Sequence, residues 1–459
     1  MAFKLRQKNA RYVYWLFMAF LKKNVQSILL SFLLSLIGII IIVSLSPYVF
    51  RKFSTSTQAI GIAGSFTLET LPPEILSKFS NGLLYANDSG ELIPVLSDSW
   101  EPVNGGREYR FHIKKDLTWN DGKPFTAKDI KYTFKDVKTE AVNDYLLVFK
   151  LTKPLPTFPY FLTKHIVKYP LVGVAGQYRV ARIKLKSGTI TELHLSPQSQ
   201  KDNNPIIIYK FYDTDTKLVE AYKLGEITSM STSKSNVADM FEHWSNTKVE
   251  KSVDYSRVLT LFFNLNDPLL KEDKDIRHSI AESIDKTAFN DSGENAIGPI
   301  APISWAYAQD TKKYAYNPSV ASKIIKKYTE ASGSAEMTIS TYYDHLSAAD
   351  AIKDDLVSAG LNTKVKVLAG NLPSNFQLFL APMTLPKDPD QYFFWHSTQK
   401  NGNITSYKNV RVDKLLEDGR NTFSIRDRKK LYSDFQRVLV EDMPAYFLYY
   451  PYVYTIKRI

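Results

Sequence analysis

The sequence contains no cysteine. Disulfide bonds, thiolate metal sites and attachment through a lipid-modified cysteine are therefore excluded for this chain. Histidine is also scarce: the seven histidines are scattered, and no H-E-x-x-H pair indicates a zinc site. The chain lacks G-x-S-x-G, phosphate-loop and G-x-G-x-x-G motifs as well. We therefore predict neither an enzyme nor a bound cofactor or metal.

Charge is absent from the whole of segment 24–50. Its centre, residues 28–43, is almost wholly Leu, Ile, Val, Phe and Ser. Because about 20 apolar residues in a helix cross a bilayer, we predict a transmembrane helix at 25–50. A cleaved signal peptide is the alternative, but the apolar run is long for one, and Pro47 directly follows the nearest pair of small residues. We therefore expect the helix to be retained as a single-pass anchor.

The cations around this helix predict its orientation. Two cations follow it, and six precede it without any acidic residue: Lys4, Arg6, Lys8, Arg11, Lys22 and Lys23. The positive-inside rule then places the amino end in the cytoplasm and the main domain outside the plasma membrane. Without those eight cations, the formal net charge falls from +12 to +4 for residues 53–459. So mild a charge does not indicate nucleic-acid binding.

The stretch from Tyr12 to Leu21 is apolar and rich in aromatic residues, but it is too short to span a bilayer. It favours an interfacial helix on the inner leaflet, and a docking site for a cytoplasmic partner is the alternative. We accordingly predict a cytoplasmic segment 1–24, the transmembrane helix 25–50 and a polar linker 51–58.

Beyond the linker, strands and helices interleave without a fixed repeat, which indicates an α/β architecture. Short apolar runs predict strands at 109–113, 146–151, 206–211 and 363–368. Helical periodicity predicts helices at 128–137, 275–289, 319–328, 348–358 and 426–442. Local signals add a tight turn at 120–122, a helix cap at Thr126 with Asp129, and a helix end at Gly360.

Five blocks of sequence carry a family resemblance. Within block 92–134, the segment from Trp119 to Asp129 reads W-x-D-G-x-P-F-T-A-x-D. Further blocks follow at 262–285, 298–318, 388–417 and 428–451. Together and in this order they resemble the family 5 extracellular solute-binding proteins, the oligopeptide, dipeptide and nickel binders of ABC importers.

The resemblance implies a two-lobed periplasmic-binding-protein-like fold of type II, in which the lobes close over a ligand. Lobe I is expected at 59–259 and 444–459, and lobe II at 260–443. The chain between Phe134 and Asn143 is short where the peptide binders insert a subdomain, so the cleft is expected to be more open there. The implied partners are a peptide or other small solute and the permease subunits of an ABC importer. A membrane-anchored receptor or adhesion domain with the same fold is the alternative function.

The resemblance also places ligand contacts at Phe66, Trp305, Ala381, Met383, Leu385, Asp388 and Trp395. The family's peptide binders carry an aspartate four residues before the proline of the D-P-D block, where it pairs with the peptide's free amine. That proline is Pro389 here, and position 385 is leucine. We therefore predict an apolar pocket beside Leu385 and binding through the peptide main chain, with acetylation of the amine changing affinity less than about tenfold. For Asp388, a turn or helix-start role is the alternative to ligand contact.

Overall fold

A computed structural model describes residues 2–53, 56–199, 204–332, 336–373 and 375–459. They fall into two compact units. The first takes in the described parts of segments 1–57 and 200–206, and the second takes in 58–199 and 207–459.

The first unit is built on two helices, α1 (Ala2–Lys23) and α2 (Val25–Phe53). By length and composition, no single helix within the described residues qualifies to cross a membrane. The stretches Tyr12–Lys23 and Val25–Ile41, bent by 71°, qualify only as a pair. The predicted linker 51–58 overlaps the end of α2, and its residues 54 and 55 lie outside the described part of the chain.

The described residues of the second unit contain ten further helices and eighteen strands. The helices are α3 (Pro73–Phe79), α4 (Asp215–Lys223), α5 (Ser235–Glu242), α6 (Pro268–Glu272), α7 (Lys274–Ser283), α8 (Pro318–Ser332), α9 (Leu346–Ser358), α10 (Tyr392–Trp395), α11 (Val410–Asn421) and α12 (Ile425–Asp442). The strands are β1 (Thr57–Ala63), β2 (Leu84–Ala86), β3 (Leu92–Pro94), β4 (Ser97–Val103), β5 (Glu108–Ile113), β6 (Val137–Asn143), β7 (Leu146–Leu151), β8 (Tyr178–Lys186), β9 (Thr189–Pro197), β10 (Ile206–Tyr212), β11 (Ser229–Thr232), β12 (Thr247–Val253), β13 (Arg257–Phe263), β14 (Gly293–Asn295), β15 (Met337–Tyr342), β16 (Thr363–Leu368), β17 (Leu378–Thr384) and β18 (Ala445–Arg458).

The largest sheet has the strand order β16-β15-β17-β13-β18-β11-β1-β10-β9-β8, and β12 and β14 also pair with β18. We call the part built on β1–β12 lobe I and the part built on β13–β17 with α6–α12 lobe II. The long strand β18 belongs to both, because residues 445–449 pair with β13 and residues 454–458 pair with β11 and β12. Strand β18 and the β12–β13 connection therefore join the lobes.

Lobe II buries apolar side chains on both faces of its sheet. Leu261 and Phe263 of β13 lie in one core with α7, α8 and α9, whereas Val258 and Phe262 lie in the other with α10, α11 and α12. Alternate residues of a strand point to opposite faces, which explains this division. In lobe I, β4, β5, β6 and β7 form a separate four-stranded sheet with its own aromatic core.

The structure contains the strands predicted at 109–113, 146–151, 206–211 and 363–368. Helices α7, α8, α9 and α12 confirm the other helix predictions, although the segment 275–289 is helical only to Ser283 and then continues as a 3₁₀ turn at 286–289. Gly360 has a φ of 94° just beyond α9, as a helix end of this type requires.

The helix predicted at 128–137 is wrong. Thr126 and Asp129 do form the predicted capping box, but it closes only a single 3₁₀ turn at Ala127–Asp129. The chain leaves the helical conformation at Ile130 and forms no helix up to β6, because the Tyr132 hydroxyl donates to the carbonyl of Lys164 (2.6 Å) and Phe134 packs edge-on against Phe158. These tertiary contacts override a local periodicity that indicated a helix.

Lys286 is an unusual cation beside β18. Its Nζ donates to the carbonyls of Ala296 (2.7 Å) and Phe447 (2.6 Å) and lies 4.3 Å from the centre of the Tyr446 ring. Within the described residues, no carboxylate forms an ion pair with it. Burial lowers the pKa of the Lys286 amine from its ordinary value of 10.5 to about 7.

This lysine predicts a pH dependence of stability. Above pH 7 the folded chain has released the Lys286 proton, whereas the unfolded chain keeps it until about pH 10.5. The free energy of unfolding should therefore rise between pH 7 and 9, by up to about 1.4 kcal/mol per pH unit. Lys286→Met should flatten this part of the urea-unfolding profile, and Lys271→Met, at an exposed position, should not. An unchanged slope in Lys286→Met would contradict the assignment.

Candidate functional site

A pocket of about 250 Å³ lies between the two lobes, where the β12–β13 connection meets the end of β17. Lobe I contributes Asp88, which follows β2, and lobe II contributes the segments around Ile300 and Leu385. The remaining lining residues come from the connection itself, at 253–256, and from positions 299, 301, 303, 304, 386, 387, 389 and 391. Leu385 is 9% exposed and is held in place by its N–H, which donates to the carbonyl of Ser256 (2.7 Å).

The pocket beside Leu385 is not apolar, so that prediction is wrong. Asp254 lies in its wall and accepts hydrogen bonds from the Ser256 N–H (3.0 Å) and from Arg257 Nε (2.6 Å). Burial alone would raise the pKa of the Asp254 carboxyl, but hydrogen bonds from the Ser256 hydroxyl and N–H, together with the Arg257 charge, lower it below its ordinary value. The leucine at position 385 is therefore accompanied by an ionised carboxylate, which the β12–β13 connection supplies.

A turn of lobe I, residues 87–91, docks on lobe II at the rim of this pocket. Asp88 forms an ion pair with Lys387 (2.7 Å), and the carbonyl of Ser89 accepts from the main-chain N–H of Trp305 (3.0 Å). Gly90 has a φ of 89°, and a Cβ at this position would lie 2.4 Å from the carbonyl oxygen of Lys387. Glycine is thus required both by the backbone conformation and by the close approach of the two lobes.

Asp388 lies behind the pocket in a buried ion pair. Its two carboxylate oxygens lie 2.7 and 3.0 Å from a single nitrogen of Arg428, whose guanidinium also contacts the Trp305 ring at 5.2 Å. Asp388 additionally accepts from the Asp390 N–H (2.9 Å), which is the turn role considered from the sequence. The ion pair with Arg428 occupies the carboxylate of Asp388. Asp388 lines neither this pocket nor the second pocket, which lies along β17.

A second pocket, of about 330 Å³, lies farther along β17. It includes three of the residues named from the sequence: Ala381, Met383 and Trp395. The other lining side chains are apolar or uncharged: Phe262, Tyr342, Leu372, Phe379, Pro382, Thr384, Phe393, Phe394, Asn401, Ile404 and Thr405, together with Gly402. The strand β17 thus carries one pocket at its end and another along its length.

Phe66 lies apart from this group. Its ring packs at 5.4 Å from that of Phe211 in the lobe I core, and its carbonyl accepts from the Ile190 N–H (2.8 Å). The structure therefore brings together Ala381, Met383 and Trp395 at one pocket, and places Leu385 at the other.

Sequence reasoning missed Asp254 and Asp88. The D-x-S pattern of Asp254 and Ser256 before an apolar strand predicts only an Asx turn, which is present. Asp88 lies in an exposed turn, and its sequence does not distinguish it from other surface turns. Their common location becomes visible only once β17, the β12–β13 connection and the 87–91 turn are brought together.

His396, which follows the pocket residue Trp395, is engaged in local structure. His396 stacks on Tyr392 at 4.0 Å and lies 2.8 Å from the Thr398 hydroxyl, while the Ser397 hydroxyl donates to Asp413. Within the described residues, no group of three or more His, Asp or Glu is placed to hold a metal ion.

Comparison with known proteins identifies the family. The model of the bacterial extracellular solute-binding proteins, family 5, matches residues 91–139 and 135–405. The oligopeptide-binding protein AppA of Bacillus subtilis is 25% identical, with 78% of each chain covered. The dipeptide-binding protein of Escherichia coli is 22% identical, with 80% of this chain and 82% of the relative covered.

Solved structures agree in fold. NikZ from Campylobacter jejuni in complex with Ni(L-His) superposes with a TM-score of 0.72 at 22% identity, covering 88% of this chain and 94% of that one. AppA from Bacillus subtilis in complex with a nonapeptide gives a TM-score of 0.69 at 21% identity, with the same coverage. At such identities the likeness establishes the two-lobed fold, and the match of the family model over most of the chain establishes membership. The chain belongs to the bacterial extracellular solute-binding proteins of family 5.

Proposed function

We propose that this protein binds short peptides between its lobes and delivers them to the permease subunits of an ABC importer. The observation that carries the proposal is the interlobe pocket, in which a carboxylate lies beside the end of a strand with an open edge. Relatives named as oligopeptide- and dipeptide-binding proteins support the choice of peptide among possible solutes.

The open edge of β17 suits a peptide main chain. Strand β15 pairs with β17 only through Leu380, and within the described residues no other strand pairs with that edge beyond it. The opposite edge of β17 pairs with β13, and Ala381 and Met383 lie in register with that strand. The main-chain N–H of Leu385 also donates to a carbonyl on the β13 side. Because hydrogen bonding alternates along an antiparallel strand, Thr384 directs its N–H and carbonyl to the open edge, and Pro382, which has no N–H, directs its carbonyl there. An extended peptide can add there as a further strand.

Asp254 provides the charge that such a ligand needs. A free peptide amine is a cation, and burying it without a partner would cost several kcal/mol. Asp254 is ionised and lines the pocket, and its own ion-pair partner, Arg257 (2.6 Å), is 46% exposed. Asp388 is instead buried with Arg428 and does not line this pocket. In this proposal Asp254 receives the ligand's amine, and β17 binds its main chain.

Lobe closure couples binding to delivery. We place the lobe boundaries near those expected from the sequence, 59–259 with 444–459 for lobe I and 260–443 for lobe II, except that β13 from Arg257 and residues 445–449 of β18 pair within lobe II. The β12–β13 connection and β18 join the lobes. The Asp88–Lys387 ion pair and the Trp305–Ser89 hydrogen bond cross between these lobes. A ligand that contacts both lobes favours the closed form, because only that form makes both sets of contacts.

For the amino-terminal part, the proposal is a single-pass anchor in the plasma membrane. Helix α2 would cross the bilayer, and Tyr12–Lys23 would lie along its cytoplasmic face. The 71° bend between the two stretches and the excess of cations before α2 support this arrangement.

Topology is tested by protease added to intact cells that express the chain with a tag at residue 1. The main domain should be digested while the tag survives with α2 still attached. Loss of the tag, or a mature protein that begins after residue 50, would contradict the anchor.

Peptide binding is tested by the melting temperature of the purified full-length chain in detergent. A ligand at 100 times its dissociation constant stabilises the folded state by about 2.7 kcal/mol, which moves a melting curve visibly. A mixture of short peptides should raise the melting temperature. If sugars or nickel chelates raise it and peptides do not, the ligand belongs to another class; if nothing does, the receptor alternative is favoured.

A further inference from the structure

A third pocket, of about 270 Å³, lies in lobe II and shares no lining residue with the interlobe pocket or with the pocket along β17. Residues 284–287, 295–297 and 445–447 form one part of its wall. The segment around Tyr314 and the end of α12 form the rest. This volume suits a small molecule rather than a peptide.

Lys286 has a hydrogen-bond donor to spare at this pocket. A lysine ammonium carries three N–H donors. The carbonyls of Ala296 (2.7 Å) and Phe447 (2.6 Å) receive two of them. The Tyr446 ring lies 4.3 Å from the amine, but no acceptor atom in the described part of the chain receives the third donor. Because Lys286 lines the pocket, an acceptor on a bound molecule would complete this set.

The other charged side chains of the wall favour an anion. Lys312 pairs with Glu441 (3.1 Å), whereas Lys313 has no ion-pair partner among the residues that the structure describes. Asp285 also lines the wall, but its carboxylate already accepts two hydrogen bonds within its own turn. With Lys286 protonated, the lining side chains carry three cations against one carboxylate. The resulting local potential attracts a negatively charged group.

Much of the remaining wall is apolar. Ile284, Val440, Met443 and Phe447 line it and are all buried. A molecule that joins a carboxylate to an apolar body would transfer that body out of water and pair its charge with a lysine. An uncharged molecule would leave the third donor of Lys286 without an ionic partner, and an inorganic anion would leave the apolar wall uncovered.

We infer that this pocket binds a small organic carboxylate, whose charge pairs with Lys286 and whose apolar body lies against Val440, Met443 and Phe447. The site is separate from the pockets beside Leu385 and along β17. It therefore goes beyond the proposed function and does not depend on it.

Binding should be coupled to proton uptake. Burial lowers the pKa of the Lys286 amine to about 7, so at about pH 8.5 the free pocket holds mainly the neutral amine. A carboxylate favours the ammonium form, and each bound anion should therefore draw up to about one proton from the buffer. The other titratable side chains that line the pocket are Asp285, Lys312, Lys313, Tyr314, Tyr316 and Tyr446.

Calorimetry on the full-length chain in detergent tests the inference, with benzoate as the probe and benzamide as its uncharged counterpart. Benzoate should bind at least about tenfold more tightly than benzamide, because only the anion pairs with Lys286. Inorganic phosphate, which has no apolar body, should also bind at least about tenfold more weakly than benzoate. In buffers of different ionisation enthalpy at about pH 8.5, benzoate should take up about 0.5–1 proton per molecule bound.

Two variants locate the binding. Lys286→Met should weaken benzoate binding about tenfold or more and abolish the proton uptake, whereas Lys271→Met, at an exposed position, should behave like wild type. Lys312→Gln/Lys313→Gln changes two exposed positions and should weaken benzoate binding about threefold while the uptake persists. This double variant and the uptake of the wild type keep the test available if Lys286→Met does not fold.

The inference is overturned if benzoate does not bind at about 10 mM, or if benzamide binds equally well. Benzoate binding without proton uptake, or with unchanged affinity in a folded Lys286→Met, would overturn it as well. These outcomes leave the proposed function standing, because no peptide takes part in them. Conversely, a chain that binds no peptide but binds benzoate with proton uptake would refute the proposed function alone.

Discussion

Replacing Arg428 by methionine is expected to destabilise the protein by about 3–5 kcal/mol, the largest effect of a single substitution that we predict. Arg428 and Asp388 are 4% and 7% exposed and form an ion pair at 2.7 Å. Removing the guanidinium leaves the Asp388 carboxylate buried without a cation. It also removes the hydrogen bond that Arg428 donates to the carbonyl of Gly419 (3.0 Å). Urea unfolding followed by tryptophan fluorescence measures the change.

The controls for this prediction lie on the same helix and in the same pair. Arg426→Met, two residues earlier and exposed, should change the free energy of unfolding by less than about 0.5 kcal/mol. The double variant Asp388→Leu/Arg428→Met should recover much of the loss, because no charge is then left unpaired. A destabilisation below about 1 kcal/mol in Arg428→Met would mean that the pair is more hydrated than the structure indicates.

The second large effect concerns ligand affinity. Asp254→Asn is expected to weaken binding of a peptide with a free amine by about 10- to 100-fold, which corresponds to about 1.4–2.8 kcal/mol. Hydrogen bonds to charged groups contribute about 1.5–3 kcal/mol, and the partial exposure of the pocket reduces that value. Asparagine keeps an oxygen for the Ser256 N–H, so the turn should persist. Calorimetry with free and acetylated forms of one peptide measures the effect.

In this experiment the acetylated peptide should bind wild type and Asp254→Asn with similar affinity. Asp98→Asn, an exposed carboxylate on β4, should behave like wild type with both peptides. If wild type binds both peptides within tenfold, Asp254 does not receive the amine, and the main-chain mode predicted from Leu385 alone would stand.

Much of the fold could be predicted from local sequence. Helix α12 illustrates why: Tyr432, Phe435 and Leu439 recur at helical spacing and are all buried, and the Ser424 hydroxyl accepts from the Asp427 N–H at its start. In contrast, the segment after Asp129 was misassigned, because Tyr132 and Phe134, which determine its path, contact residues 32 and 24 positions away.

The site was predictable only in part. Ala381, Met383 and Trp395 lie together because two of them alternate along one strand and the third follows on the next helix. Leu385 lies just beyond the end of that strand, but the character of its pocket was not predicted. That character depends on Asp254, which is 131 positions away in the chain and reaches the pocket only through the pairing of β13 with β17. Long-range strand register of this kind leaves no local mark in the sequence.

Native mass spectrometry of the full-length chain tests whether the protein binds a peptide. The protein is purified in detergent without denaturation, incubated with a mixture of short peptides and analysed for bound mass. We expect a one-to-one complex whose released ligand is a short peptide with a free amino end. A folded chain that carries no peptide, either as isolated or after incubation, would contradict it.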